Sequence, residues 1–184
     1  MYFRSVVLAG TLAVAGAAWS HGDTHKSKSA AKPGPLSTEE HAFGRAGNPK
    51  AAKRTIRIAM DDRMQFVAAS PQPGRATDAG AGSAPHSMPG DIVVKRGDTV
   101  RFVVRNDGKL MHEMVIGRMQ ELKEHADLMR KFPGMEHDEP YMAHVAPGKT
   151  GEIVWQFTRA GEFHYACLIP GHMEAGMIAK ITVK

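Results

Sequence analysis

The sequence has one cysteine, Cys167, among its 184 residues. A single thiol cannot form an intramolecular disulfide, so a fold held together by several disulfides is excluded. Methionine and histidine are plentiful by comparison, with 12 and 10 copies, and thioether and imidazole groups join thiolate among the soft and borderline metal ligands. The cysteine is therefore either an inert buried residue or part of a metal site, and its neighbours in the sequence decide between the two.

The sequence also has little that would hold it in a membrane or on nucleic acid. Its one long apolar stretch, residues 5–18, is shorter than the roughly 20 residues that span a bilayer. Arg4 precedes this stretch, and Ala18 and Ser20 fit the small-residue positions of a cleavage site, which predicts a secretory signal peptide over residues 1–20. Removing it leaves 23 basic and 19 acidic residues, a net +4 that is too mild to indicate nucleic-acid binding. We expect an exported, periplasmic protein of a Gram-negative bacterium, with no membrane span after signal removal.

The remaining chain divides into segments of different composition. Residues 21–52 are polar and lack a hydrophobic period, which predicts a flexible, disordered arm. Residues 53–184 contain short β-branched and aromatic runs between glycine and proline turns, which predicts one all-β domain, a sandwich or barrel. Within it, residues 70–90 are a low-complexity loop, and apolar residues at helical spacing between Arg118 and Lys131 predict one short helix. The predicted strands are 55–60, 91–95, 99–105, 112–116, 152–158, 162–167 and 177–183.

Cys167 lies in a segment that also contains His172 and Met177, with four residues between successive members. The segment joins two predicted strands through a Pro-Gly turn, so the three side chains can fold back onto one point. Thiolate, imidazole and thioether are donors of mononuclear copper electron-transfer sites, which take two histidines, one cysteine and a weak axial methionine. The second histidine must come from elsewhere, and His112 is the best candidate because it opens a predicted strand just after the turn at residues 106–108.

Other sites use the same side chains. Structural zinc usually draws on paired Cys or His spacings that are absent here, and a cysteine nucleophile needs an exposed thiolate beside a base and an oxyanion site. Multicopper oxidases and copper nitrite reductases commonly carry His-x-His pairs, and the sequence has none. We therefore expect a protein with one mononuclear copper site and no enzymatic activity.

Two stretches of the chain resemble the cupredoxins, the small blue-copper proteins. The upstream stretch, 94–113, ends in His112-Glu113, and the downstream stretch, 161–177, contains the Cys-His-Met segment. The resemblance spans about residues 55–184 and implies a cupredoxin-like Greek-key β-sandwich. It also implies a type 1 copper site whose ligands are His112, Cys167, His172 and, in the axial position, Met177.

One residue departs from the family pattern. Many cupredoxins follow the first histidine ligand with Asn or Ser, which ties the two ligand segments together, whereas this chain has Glu113 between Met111 and Met114. A carboxylate there can accept a hydrogen bond from the ligand segment or change the electronic character of the copper. Whether the site is blue or green stays open at this point.

Further histidine and methionine clusters bear on the choice between copper handling and electron shuttling. A His-bearing arm, the segment Met60-Asp61-Asp62-Arg63-Met64 and the His112-Glu113 pair resemble the periplasmic copper-tolerance cupredoxins of the CopI kind. We therefore expect a monomer that acts in copper tolerance, with one-electron transfer between periplasmic redox partners as the alternative. Each cluster alone can equally be core packing or solvated surface, but together they predict additional copper ions at some of His21, His25, Met60, Met64, Met135, His137, Met142 and His144.

Overall fold

Burial alternates along Thr99–Asn106, where Val100, Phe102 and Val104 are fully buried and their neighbours are more exposed. Successive side chains of a strand point to opposite faces, so this pattern turns one face toward a core. The computed structural model describes residues 37–68, 91–132 and 137–184, and the chain in these ranges forms eleven strands and one α-helix. The strands are β1 (Glu40–His41), β2 (Gly44–Ala46), β3 (Arg54–Asp61), β4 (Gln65–Ala68), β5 (Ile92–Val94), β6 (Thr99–Asn106), β7 (His112–Gly117), β8 (Met142–Val145), β9 (Thr150–Gln156), β10 (Gly161–Ala166) and β11 (Ile178–Val183).

The strands form two sheets, with the order β1-β2-β9-β6-β3-β4 in one and β5-β11-β10-β7-β8 in the other. Most neighbours are antiparallel, but β3 runs parallel to β6 and β5 runs parallel to β11. Large apolar side chains from both sheets fill the space between them, including Phe102, Trp155 and Tyr165, each at most 1% exposed. The predicted all-β sandwich is confirmed.

The helix α1, Met119–Lys131, lies over the second sheet. Leu122, Ala126 and Met129 are buried, and Leu122 and Ala126 belong to a smaller apolar cluster that also contains Ala166. The predicted short amphipathic helix is confirmed. No helix in the described ranges has both the length and the apolar character needed to cross a bilayer.

Residues 40–51 differ from the sequence-based expectation. They were predicted to belong to a flexible arm, but β1, β2 and a 3₁₀ helix at Pro49–Ala51 give them regular structure. Phe43, 3% exposed, stacks on Trp155, and its carbonyl accepts a hydrogen bond from the Trp155 indole N–H. One aromatic anchor therefore adds two short strands to the edge of the first sheet, so residues 40–51 do not belong to a flexible arm.

The register of the second sheet brings the ends of two distant segments together. β7 and β10 are antiparallel, with Val115 opposite Ala166 and Gly117 opposite His164. The end of β10, which leads into Cys167, therefore lies beside the beginning of β7, which contains His112. The parallel pairing of β3 with β6 brings Met60 opposite Asn106, so the residues after β3 reach the turn that precedes β7.

Candidate metal centre

His112, Cys167 and His172 converge on one point at the end of the sandwich. One potential ligand atom from each lies within 4.8 Å of the others, and all three residues are at least nine-tenths buried. The Cys167 Sγ atom lies 3.2 Å from His172 Nδ1, and the rings of His112 and His172 have centroids 5.0 Å apart. The structure thus assembles the three strong donors that the sequence predicted to share a site.

The surroundings of the two ring nitrogens assign the tautomer of His112. Its Nε2 lies 3.2 Å from Asp62 Oδ1, while its Nδ1 is buried and has no hydrogen-bond partner in the protein. Because a carboxylate accepts hydrogen bonds, Nε2 carries the proton and Nδ1 keeps a free lone pair. A histidine whose second nitrogen donates to a carboxylate is a common arrangement for a metal ligand.

Asp62 also organises the turn that leads to His112. Its carboxylate accepts hydrogen bonds from the backbone N–H groups of Lys109 and Leu110, and these bonds hold the pKa of Asp62 below its usual value. The turn passes so close that a Cβ atom at Gly108 would lie 2.1 Å from Asp62 Oδ1. The sequence did not single out Asp62 as a partner of His112, since the two residues are fifty positions apart and only the β3–β6 pairing joins them.

The Cys167 thiol is fully buried at the end of β10. Burial raises the pKa of Cys167 to about 12, although hydrogen bonds from the backbone N–H groups of Glu113 and Ile169 oppose that increase. A buried thiol with two N–H donors aimed at its sulfur is prepared to become a thiolate once a cation supplies the compensating charge. Phe163 and Tyr165 share its buried face, as the strand alternation predicted.

The loop after Cys167 closes through its own backbone. His172 N–H donates to Ile169 C=O, Met177 N–H donates to His172 C=O, and Cys167 N–H donates to Met177 C=O. Gly171 and Gly176 adopt φ values of 90° and 99°, a region that side chains disfavour, so glycine permits the two reversals. These hydrogen bonds hold the backbone of the three predicted donor residues, Cys167, His172 and Met177, close together.

Met177 is completely buried and belongs to the main core cluster together with Cys167. Its hydrogen bonds to the backbone of Cys167 and His172 hold it against both residues. Met173, the other methionine of the loop, is partly exposed and packs against the helix-side cluster instead. This difference in location favours Met177 as the thioether donor, as the spacing predicted.

Glu113 connects the two ligand segments. Its side chain is 1% exposed, and Oε1 accepts a hydrogen bond of 2.9 Å from the backbone N–H of Leu168, the residue after Cys167. Its other oxygen, Oε2, lies 2.8 Å from His144 Nε2. The carboxylate therefore makes the link between loops that Asn or Ser makes in many cupredoxins, and it adds a negative charge that those residues lack.

The other predicted copper residues fall into three groups. Met60 and Met142 are buried in the apolar clusters, and Met64 packs against the main cluster, so these thioethers serve the core. His137 and His144 lie close together, with ring centroids 6.3 Å apart, beside His125, which the sequence did not single out. His21, His25 and Met135 lie outside the described residues, as do the predicted signal peptide and the predicted loop of residues 70–90.

The donor set fits copper on the structure's own terms. The site offers an imidazole nitrogen of His112 without a hydrogen-bond partner and a thiol with two N–H donors at its sulfur. It also offers the imidazole of His172, and burial together with the nearby His112 ring lowers the pKa of that imidazole. Neutral imidazoles with a thiolate and a thioether suit copper in a trigonal site, and hard cations such as magnesium prefer oxygen.

Comparison with known proteins supports the same family. The family model described as copper binding proteins, plastocyanin/azurin family, matches residues 77–184. The copper-resistant cuproprotein CopI of Rubrivivax gelatinosus is 41% identical over 177 residues, which cover 96% of this chain and 91% of that protein. CopI of Pseudomonas aeruginosa is 31% identical, with 78% of this chain and 83% of that protein covered.

A solved structure shares the fold at low sequence identity. Reduced auracyanin from the photosynthetic bacterium Roseiflexus castenholzii matches with a TM-score of 0.53 and 18% identity, covering 72% of this chain and 98% of auracyanin. At 18% identity this match supports a shared fold and carries no argument about function. The chain belongs to the copper-binding plastocyanin/azurin family and is a cupredoxin of the CopI kind, with copper as its cofactor.

Proposed function

We propose that the protein binds one type 1 copper ion through His112, Cys167, His172 and Met177 and acts in copper tolerance in the periplasm. The observation that carries this proposal is the convergence of three strong donor atoms within 4.8 Å at a buried site. Similarity to proteins named copper-resistant cuproproteins supports the tolerance role. The predicted signal peptide supports export, which N-terminal sequencing of the protein from a periplasmic fraction tests directly.

The four donors fill the coordination shell of a type 1 copper. A catalytic metal site keeps an open position for water or substrate, whereas a closed site suits binding or electron transfer. We therefore propose a binding protein without turnover of its own. When copper is bound, it supplies one-electron chemistry, and the rigid loop and buried strands limit how far its ligands move between the two oxidation states.

The metal assignment is tested by the visible spectrum of the purified mature protein. Copper(II) should produce an intense visible band, because charge moves from the Cys167 thiolate to the metal. Cys167→Ser should remove that band while circular dichroism shows the same folded sheet content. An unchanged visible spectrum in this variant would contradict the assignment of Cys167 as a copper ligand.

The biological role is tested by deleting the gene. Loss of copper tolerance, restored by the wild-type gene and not by Cys167→Ser, supports copper handling through this site. Unchanged growth in elevated copper would contradict it.

Electron transfer is the second candidate function. His172 keeps 9% of its surface exposed, and the residues just before His112, Leu110 and Met111, are about half exposed. A partly exposed ligand residue and exposed apolar side chains at the same end of the sandwich suit brief contact with a redox partner. Loss of a respiratory or oxidative activity at trace copper, with copper tolerance intact, would favour this function over the first.

A further inference from the structure

Three histidines from three different elements meet on the helix side of the second sheet. His125 is on α1, His137 is on the segment before β8, and His144 is in β8. The Nε2 atoms of His125 and His137 lie 2.7 Å apart, and the rings of His137 and His144 have centroids 6.3 Å apart. None of these residues belongs to the cysteine-containing site.

We propose that His125, His137 and His144 form a second copper(II) site. Two nitrogens bound to one ion at about 2.0 Å lie roughly 2.8 Å apart at a right angle and roughly 3.3 Å apart in a tetrahedron. The two Nε2 atoms lie 2.7 Å apart, which is the distance of a hydrogen bond between the rings, and a small increase gives the separation that an ion between them requires. Copper(II) is the divalent ion that imidazole sites bind most strongly, and the choice of copper over zinc rests on the copper-handling role proposed above.

The surroundings of His144 resemble those of a metal-binding histidine. Its Nε2 pairs with the buried carboxylate of Glu113 at 2.8 Å, while its Nδ1 faces the segment of His137 and lies 3.9 Å from Asp138 Oδ1. A carboxylate paired with one ring nitrogen is a common partner of a metal-binding histidine. Copper binding here requires the His144 side chain to move toward His137, because the ligand atoms of the three histidines do not all lie within 4.8 Å of one another. The neighbouring Asp138 carboxylate offers an oxygen.

The charge around the cluster suits a cation. Burial and the two neighbouring histidines disfavour a proton on His125, so its imidazole stays neutral and able to bind a metal. His137 Nδ1 is buried without a hydrogen-bond partner. The carboxylates of Glu113, Asp138 and Glu139 supply negative charge nearby. Since Glu113 also accepts the N–H of Leu168, it lies between this site and the cysteine-containing one.

The test is a copper(II) titration of the mature protein, followed by the visible band and by electron paramagnetic resonance. The first equivalent should give the thiolate band, and a second should give a separate copper signal with nitrogen couplings and no added visible intensity. The double variant His125→Gln/His137→Gln should weaken the second binding step at least about tenfold and leave the first. The control variant His41→Gln/His164→Gln should leave both copper-binding steps unchanged.

A third variant, His21→Gln/His25→Gln, distinguishes copper binding at residues 21 and 25 from copper binding at the three histidines on the sheet. Retention of the second signal in this variant supports the site on the sheet, and its loss there overturns the proposal. The proposal is also overturned if the second signal persists at full affinity in His125→Gln/His137→Gln, or if no second equivalent binds while the thiolate band forms normally. The last result would leave the cysteine-containing site intact and so would not count against the proposed function.

A readout on the unaltered protein removes any dependence on how the variants fold. In proton spectra, substoichiometric copper(II) added after the first equivalent should broaden the ring signals of His125, His137 and His144 before those of His41 and His164. Broadening of all histidine rings together would contradict a defined site.

Discussion

The carboxylate of Asp62 lies 3.2 Å from Nε2 of His112, although fifty residues separate the two in the sequence. The contact leaves the other ring nitrogen free and adds negative charge behind the ligand. Extra negative charge stabilises copper(II) more than copper(I), so Asp62 should lower the reduction potential of the site.

Asp62→Asn should therefore raise the reduction potential and weaken copper(II) binding by roughly 10–100-fold. Protein-film voltammetry and competition with a chelator measure the two effects. Asp61→Asn is the matched control, because Asp61 pairs with Arg63 and not with a ligand. Equal shifts in both variants would show that general surface charge, and not the contact with His112, sets the potential.

Glu113→Ala should lower the free energy of unfolding by about 1.5–3 kcal/mol, because it leaves the buried Leu168 N–H without its charged acceptor. Glu113→Gln keeps an acceptor and should lose less, while its visible spectrum shifts as the negative charge disappears. Urea unfolding of the metal-free protein measures the stabilities. Glu162→Ala, at an exposed side chain, should change stability by no more than about 0.5 kcal/mol.

Met177→Leu should keep the intense visible band and raise the reduction potential. The thiolate and both imidazoles remain, but the thioether that donates to copper(II) is gone. Met173→Leu is the control within the same loop and should leave the potential unchanged. If the Met173 variant shifts and the Met177 variant does not, the axial assignment is reversed.

Phe43→Ala should lower the free energy of unfolding by about 3–5 kcal/mol, the usual loss for a buried phenylalanine. Phe43 is 3% exposed and stacks on Trp155, so its removal leaves a cavity and loosens β1 and β2. Val93→Ala, where the side chain is 45% exposed, should cost little. Chemical unfolding monitored by circular dichroism compares the two, and a loss for Phe43→Ala as small as that for Val93→Ala would mean that residues 40–51 do not contribute to the fold.

His164 should make the metal-free protein less stable in acid. Burial lowers the pKa of His164 in the folded protein, with Lys180 adding to the effect and Glu162 and Asp91 opposing it. The unfolded chain therefore binds more protons, and stability falls as the pH drops below the ordinary histidine pKa of about 6.5. His164→Gln should lose less stability than wild type between pH 7.5 and pH 5, and identical losses would refute the contribution.

The regular strands could be predicted from the sequence because their β-branched and aromatic runs are long enough to show a pattern. Strands β4 and β8, of four residues each, were not predicted, and Met142 and His144 of β8 were interpreted as part of a metal cluster. β1 and β2 are shorter still. They are held by Phe43 against Trp155, a tertiary contact that composition and local periodicity do not reveal.

The site could be predicted to a similar extent. Cys167, His172 and Met177 are close in sequence and share a loop, so their spacing predicted their convergence, and Glu113 stood out because it follows His112. Asp62 and His125 could not be found in this way. Asp62 reaches its partner through the parallel pairing of two strands, and His125 meets His137 by the way a helix lies on a sheet.

The self-closing loop of residues 167–177 also bears on how such sites diverge. Its reversals are secured by its own backbone hydrogen bonds and two glycines, while the flanking strands β10 and β11 pair with each other along their full length. Exchanges within the loop that keep these hydrogen bonds, glycines and buried side chains can therefore leave the paired strands undisturbed. Because one loop carries three of the four proposed donors, replacing that loop can change the visible spectrum or the reduction potential of a cupredoxin. His112 and its carboxylate partner keep their positions, because the two sheets hold them.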